Sequence, residues 1–205
     1  MRKADLAKNH DWFERDMQWY IDFLARTIGA QRVIRTKEDK TEIVEAFILR
    51  ICAIWEAFVE AQLINCVNLD CSKLAEHLRL DLQKHMSRAT CEAVLIGDRY
   101  LDFRSVADIK NFAKKVLCGD NNPFKLIPNS TAKKIDEVYV MRNYLSHYSG
   151  KSKRVLRQMY ENSYKLKNFR EPGDFLLAWD KGEFRLVPYI KAFLDASEQM
   201  RGVIS

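Results

Sequence analysis

Residues 41–68 read TEIVEAFILRICAIWEAFVEAQLINCVN. This stretch predicts one long helix, and apolar side chains such as Ile48 and Trp55 fall on most sides of it. A helix that is apolar nearly all round is expected to be enclosed by other elements, so the stretch predicts the central helix of the fold. Charged and polar residues from Glu45 to Gln62 interrupt it, so we do not expect it to cross a bilayer.

The sequence on both sides of the central helix also has helical periodicity. Residues 6–28 carry apolar side chains at steps of three and four, which predicts an amphipathic first helix ending near Gly29. A third helix is predicted at residues 72–90, with a less regular continuation to 96. A short fourth helix is predicted between a cap at Ser105 and Gly119. Three more helices are predicted from 130 or 131 to about 148, from 155 to 164, and from Pro188 to about 200. Residues 175–179 and 184–187 flank a turn and predict a small β-hairpin.

The fold class that follows is all-α. The chain has 205 residues, 47% of them hydrophobic, with 7 Gly and 4 Pro, so it can bury one core and is not expected to be disordered. We predict a single domain over residues 1–205, a helical bundle with a small C-terminal β-hairpin and a final helix in residues 170–205.

Cysteine usage and the N-terminus indicate the compartment. Acidic residues interrupt residues 1–30 where a signal peptide would be apolar, so we predict a cytoplasmic protein with no membrane segment. The five cysteines are an odd number without C-x-x-C spacing, which is typical of reduced thiols in a core. A zinc site from Cys66, Cys71 and His77 is the alternative, but their spacing matches no common ligand pattern, so we expect neither metal nor cofactor.

The formal net charge of +6 is concentrated in residues 151–170, which we call the basic segment. It contains seven basic residues and one acid, so it alone carries the excess charge of the whole chain. The basic residues are Lys151, Lys153, Arg154, Arg157, Lys165, Lys167 and Arg170. Such a cluster is typical of a surface that binds nucleic acid, and the alternative is a solvated helix face.

Directly before the basic segment, residues 141–148 read MRNYLSHY. On a regular helix Asn143 and His147 share a face, whereas Arg142 and His147 lie about 140° apart. Arg142 and His147 can meet if the arginine swings across, if the helix loosens toward Gly150, or if a second copy of the helix packs alongside.

These residue types suit cleavage of RNA by its own 2′-OH group. The reaction needs a base for the 2′-OH proton, an acid for the leaving oxygen and a cation for the charge on phosphorus. One histidine cannot fill both proton roles at once, but His147 from each chain of a homodimer can. Arg142 would bind a phosphate oxygen through its guanidinium fork, and Asn143 would orient His147 or the phosphate. DNA is not a substrate of this route because it lacks the 2′-OH.

The pattern Arg142, Asn143 and His147 resembles the signature of the HEPN superfamily of helical ribonucleases. The sequence IWEAFVE at residues 54–60 also looks like a stretch found in the RiboL-PSP branch of that superfamily. The order of the pieces agrees, with NNPF at 121–124 before the Arg-Asn helix and FLLAW at 175–179 before the final helix.

The resemblance spans residues 43–200, with a core bundle at 41–165, and leaves residues 1–35 as an N-terminal helical extension. Two positions differ from the family pattern. Tyr144 and Leu145 stand where many members have a small residue and an Ile or Val. Ser149 stands where one toxin branch has a tyrosine that a partner modifies, so that regulation is not carried over.

By resemblance, the chain is expected to be a metal-independent RNA endonuclease in a toxin–antitoxin or antiviral defence system. The resemblance also implies a HEPN-like helical bundle, a homodimer with a composite active site, and an antitoxin or other defence-system protein as partner. The expected catalytic residues are Arg142, Asn143 and His147. The residues expected to bind the RNA backbone are Lys151, Lys153, Arg154 and Arg157.

Plainer interpretations stay open. Arg142 and His147 can simply stabilise a helix end, where cations are favoured. Glu56 and Glu60 are expected to pair with basic side chains of neighbouring helices. We expect exposed positions without chemistry for His10, His77 and His85, and core or interface positions for Trp12, Trp19, Trp55 and Trp179. The alternative function is a non-catalytic helical module that binds nucleic acid or protein, as an accessory or antitoxin subunit.

Overall fold

The computed structural model of the chain describes residues 3–29, 36–83, 86–97 and 101–203. These residues form nine α-helices, one 3-10 helix and two short strands, which confirms the prediction of an all-α fold with a C-terminal hairpin. In chain order the elements are α1 (Leu6–Gly29), α2 (Lys37–Leu69), α3 (Ser72–Leu78), α4 (Arg88–Leu95), α5 (Val106–Val116), the 3-10 helix (Pro123–Leu126), α6 (Asn129–His147), α7 (Gly150–Tyr164), α8 (Pro172–Leu176), β1 (Trp179–Asp180), β2 (Glu183–Phe184) and α9 (Leu186–Arg201).

Helix α2 is the central helix, as its sequence predicts. It begins after Thr36, whose hydroxyl accepts from the backbone N–H of Asp39, while the Asp39 carboxylate accepts from the N–H of Thr36. Helices α1, α4, α6 and α8 all pack against α2. Trp55 at its middle is fully buried, and its ring meets those of Phe13 from α1 and Phe193 from α9. The first and last helices therefore share one hydrophobic core with α2.

The predicted third helix is wrong in its extent, because two short helices replace it. Helix α3 ends at Arg79, whose backbone is left-handed with φ 55°, and α4 starts only after the Ser87 cap. Between them the chain is tied to the end of α2, where the Asn68 amide donates to the Met86 carbonyl over 2.7 Å. A continuous helix would lose this hydrogen bond. Residues 84–85, and the prediction for His85, lie outside the described residues.

The β-hairpin exists but is shorter than predicted. Only Trp179–Asp180 and Glu183–Phe184 pair, and residues 175 and 176 instead belong to α8. Phe175 and Leu176 are both fully buried, which an alternating strand does not allow. Gly173 explains the local helix, because its N–H donates to the buried Glu45 carboxylate and a Cβ there would lie 2.5 Å from the Thr41 carbonyl oxygen.

Among the described residues, no helix has both the length and the apolar character that crossing a bilayer requires. The prediction of core cysteines is confirmed for Cys52, Cys66, Cys71 and Cys91, which are buried. Cys118 is half-buried.

The prediction of an exposed His10 is wrong, because its side chain is fully buried between α1, α2 and α9. The Gln62 amide donates to His10 Nε2 over 3.2 Å, and His10 Nδ1 donates to Ser197 Oγ over 2.8 Å. Ser197 in turn donates to Glu14, which is also held by Arg201. In these hydrogen bonds His10 donates from one ring nitrogen and accepts at the other, which is the pattern of a neutral imidazole. His77, by contrast, is exposed as predicted.

We predict that His10 makes the protein less stable in mild acid. Burial, together with the charge of Arg201, lowers the pKa of His10 from 6.5 to about 4. Above pH 6.5 the imidazole is neutral in both states; between pH 6.5 and about 4 the unfolded chain takes up a proton that the folded chain excludes. The free energy of unfolding should therefore fall by about 3 kcal/mol across this window through His10 alone. Urea denaturation between pH 4 and 7 measures this.

In the same experiment His10→Gln should flatten the pH dependence relative to wild type, whereas the exposed control His77→Gln should leave it unchanged. Parallel curves for wild type and His10→Gln would contradict the prediction.

Candidate functional site

Helix α6 carries the Arg-Asn-His motif along one side of α2. It begins directly after Pro128, so neither Ser130 nor Thr131 is its N-cap. It ends at Tyr148, whose backbone is left-handed with φ 44° and whose N–H donates to the Tyr144 carbonyl over 2.8 Å. His147 is thus the last helical residue, and α7 starts only three residues later, at Gly150.

Arg142 is held by two acceptors on its guanidinium. Its Nη1 donates to Asn143 Oδ1 over 3.1 Å, and its Nη2 lies 3.4 Å from Glu56 Oε1 of α2. Both side chains of the ion pair are about one-third exposed, at 29% for Arg142 and 30% for Glu56. The arginine is therefore oriented by α2 and by its own neighbour.

Glu56 was absent from the predicted site, although its pairing with a basic side chain of another helix is confirmed. The sequence feature that points to Glu56 is its place in the WEAFVE stretch of α2. The packing of α6 on α2 is needed to identify Arg142 as its partner. Glu60, one turn further on, makes no ion pair with any described residue, so the same prediction is not met there.

The floor beneath the Arg142–Glu56 pair is buried, with Cys52, Trp55 and Tyr139 almost inaccessible to solvent. Burial raises the pKa of Glu56, and the positive charge of Arg142 opposes that rise. Burial also raises the pKa of the Cys52 thiol, which is close enough to feel both charges. Trp55 Nε1 and Tyr139 Oη are buried next to each other without a hydrogen bond of good geometry within the described residues. The pair therefore sits at the boundary between water and an apolar interior, where charge interactions are stronger than in bulk water.

His147 is exposed at the end of α6. Its imidazole makes no hydrogen bond or ion pair within the part of the chain that the structure describes. The structure thus brings Arg142, Asn143 and Glu56 into contact, and among the described residues no side-chain hydrogen bond or ion pair joins His147 to these three. Asn143, which the sequence suggested as a partner of His147 or the phosphate, contacts Arg142 instead.

All seven cations of the basic segment are exposed. Arg157 pairs with Glu161 over 2.9 Å. Lys153 packs over the Phe169 ring, with Nζ 4.4 Å from the ring centroid. Lys151 and Arg154 have no acidic partner among the described residues, which leaves their charge available to an external anion.

One side of α1, α2 and α6 forms a partly apolar surface that we call the open face. Its centre is a stripe of α2, with Leu49, Ala53 and Ala57 exposed at steps of four residues. Arg142 and Asn143 of α6 border the stripe through the contact with Glu56. Helix α1 reaches it through Tyr20, whose hydroxyl accepts from Arg50, the residue after Leu49. The Trp19 ring packs edge-on against Tyr20 and stacks on Phe23 at 3° from parallel, and Trp19 and Phe23 are 56% and 42% exposed.

The four tryptophans therefore differ. Trp55 is a core residue and Trp12 is half-buried against the core, as predicted. Trp19 and Trp179 are exposed, at 56% and 66%, so a core position is excluded for them and the predicted interface role stays a prediction.

No group of three or more His, Cys, Asp or Glu side chains among the described residues is arranged to hold a metal ion. Comparison of the chain with protein-family models, with curated proteins and with solved structures gave no match. A function has to be inferred from the chemistry of the residues themselves.

Proposed function

We propose that the protein is a metal-independent RNA endonuclease of the HEPN type that acts in the cytoplasm. The observation that carries this proposal is the Arg142 guanidinium, held by Glu56 and Asn143 at the water boundary, close in sequence to an exposed histidine and an exposed basic segment. During in-line attack, negative charge develops on the phosphate oxygens. A guanidinium that is already held in place can stabilise this charge without first having to reorient. Its Nε and the remaining N–H groups have no partner among the described residues and can donate to phosphate oxygens.

In this proposal His147 transfers the protons and Arg142 binds the phosphate. The exposed imidazole at the end of α6 is accessible to the 2′-OH of a bound strand, and an imidazole nitrogen can accept or donate a proton. Asn143 and Glu56 orient Arg142. Lys151, Lys153, Arg154 and Arg157 of α7 hold the RNA backbone through their charge.

The proposed enzyme is a homodimer that pairs through the open face. A second copy would supply the second histidine that the acid and base roles together require. The small side chains of Ala53 and Ala57 permit two α2 helices to approach closely, and the exposed Trp19 and Phe23 rings have the size and character of interface anchors.

The first prediction concerns His147. In excess EDTA, wild type should cut mixed RNA into products that end in 2′,3′-cyclic phosphate, and His147→Ala should be slower by about 100-fold or more, because general acid–base catalysis is lost. Gel analysis of end-labelled RNA with chemical mapping of the ends measures both. The exposed His77→Ala is the matched control and should cleave normally. An unimpaired His147→Ala enzyme would refute the assigned role.

A second prediction separates orientation from binding at Arg142. Glu56→Gln should lower kcat about tenfold without raising KM, because it loosens the arginine but removes a negative charge that repels RNA. Glu60→Gln removes the same charge one turn away on α2, without a partner to release, and should leave kcat unchanged without raising KM. A higher KM with normal kcat for Glu56→Gln would show that Glu56 does not position the clamp.

A third prediction concerns the dimer. Wild type should sediment at twice the chain mass of 24.1 kDa, and Ala53→Arg should sediment as a monomer that no longer cleaves RNA, because a long cation would separate the two α2 helices. The control Ala93→Arg makes the same change at an exposed position of α4. A dimeric, active Ala53→Arg protein would exclude the open face as the interface.

A second candidate function is a non-catalytic binding module, and the open face favours it. An exposed apolar patch that contains a stacked aromatic pair is typical of a protein-binding surface, for example for an antitoxin or another defence-system protein. The two functions differ in the first experiment, because the binding module leaves RNA intact whether or not His147 is present.

A further inference from the structure

A cleft opens between the start of α2, α8 and the hairpin, away from the residues assigned above. Its volume is about 640 Å³, which is within the range of small-molecule sites. Its lining combines cations with apolar side chains. The lining residues are Ile28, Thr36, Lys37, Lys40, Arg170, Asp174, Leu177, Ala178 and Phe184.

The charge of the cleft is positive and only partly compensated. Lys37 is neutralised by Asp174, whose Oδ1 lies 2.7 Å from its Nζ. Lys40 is half-buried, Arg170 is exposed, and neither has an ion-pair or hydrogen-bond partner among the described residues. Two uncompensated cations that face one cleft favour an anion, and the planar guanidinium of Arg170 suits a phosphate in particular.

Part of the lining is apolar and includes an aromatic ring. Leu177, Ala178 and Phe184 supply it, and the Phe184 ring is 38% exposed. The exposed Trp179 ring meets Phe184 edge-to-face at 5.1 Å, which fixes the orientation of the Phe184 ring. A flat heterocycle can pack on such a wall, as bases do on aromatic side chains in proteins that bind single strands.

Contacts connect this cleft to the end of the motif helix. Tyr144 Oη donates to Glu171 Oε1 over 3.2 Å, and the residue before Glu171 is the cleft residue Arg170. The Tyr144 ring also contacts Phe169, over which Lys153 of α7 packs. Exposed cations therefore follow one another from α7, next to His147, to the cleft.

We propose that this cleft binds one nucleoside monophosphate unit, with the phosphate on Arg170 and Lys40 and the base against Phe184 and Leu177. The inference rests on the proposed function, because the expected source of this nucleotide is an RNA strand. The nucleotide in the cleft would lie beyond the phosphate that is cleaved. A free mononucleotide has the same chemistry and is the second source. The other residues proposed to bind RNA contact its backbone through their charge. The cleft adds one position at which the protein contacts a base.

Fluorescence anisotropy in the His147→Ala background tests this, because bound RNA stays intact. The probes are a labelled single-stranded RNA of about eight nucleotides, within the usual site size of single-strand binders, and AMP or UMP, used unlabelled as competitors and fluorescently labelled to measure their own binding. Arg170→Ala and Phe184→Ala should each weaken RNA binding about tenfold, the first with a smaller salt dependence and the second with an unchanged one. Lys115→Ala, an exposed lysine of α5, is the control and should change binding less than about twofold.

The outcomes distinguish the two sources. Weaker RNA binding by both cleft variants, with no measurable competition by AMP or UMP, assigns the cleft to the strand. Mononucleotide binding that both variants lose, with RNA affinity unchanged, assigns it to a free nucleotide. Cleft variants that bind RNA and mononucleotides like the parent overturn the proposal. Cleavage is measured separately, with His147 present. Cleft variants that bind like the parent therefore do not contradict the ribonuclease proposal, and a protein that cleaves no RNA does not contradict the nucleotide site in the cleft.

Discussion

The burial of α2 is the constraint on which the rest of the structure depends. This 33-residue helix has buried side chains on most of its circumference, so other helices have to cover it along its whole length. Helix α1 covers one side and α6 the other, while α4 and α8 pack against it and α9 reaches Trp55 through Phe193. The stripe from Leu49 to Ala57 stays exposed, and it is therefore the part of α2 that is available to a partner.

Burying a long helix also buries polar side chains, and Glu45, Gln62 and Asn68 of α2 each have a partner from elsewhere in the chain. Glu45 accepts from the N–H of Gly173, which fixes α8. Gln62 bonds His10, and Asn68 bonds the carbonyl of Met86. A buried polar group without a partner is costly, so these contacts fix where the connecting segments lie as well as stabilise them. His10 is neutral for this reason, although its position in the sequence resembles an exposed helix face.

The same packing gives the candidate site its character. Because α6 lies along α2, Arg142 meets Glu56 over a floor of apolar and unpaired polar side chains, and its guanidinium is oriented before any ligand arrives. His147 lies where α6 ends, and the left-handed Tyr148 lets the chain turn at once into the basic α7. The oriented Arg142, the accessible His147 and the basic α7 are therefore close along the chain. About two helix turns and one short connection contain them.

The amino-acid sequence predicts most of the helices, because the spacing of apolar residues is a local property of the chain. It determined that residues 41–68 form the central helix, that the hairpin lies near the C-terminus, and that Arg142, Asn143, His147 and the basic segment are close together along the chain. Which side chains pair depends instead on how distant segments pack together. The Arg142–Glu56 contact, the buried His10, the break after Arg79, the helical turn at Phe175 and the cleft beside Arg170 all depend on residues far apart in the chain. Burial and hydrogen bonding between distant segments override local preference there, because an unpaired buried group costs more free energy than a change in local conformation.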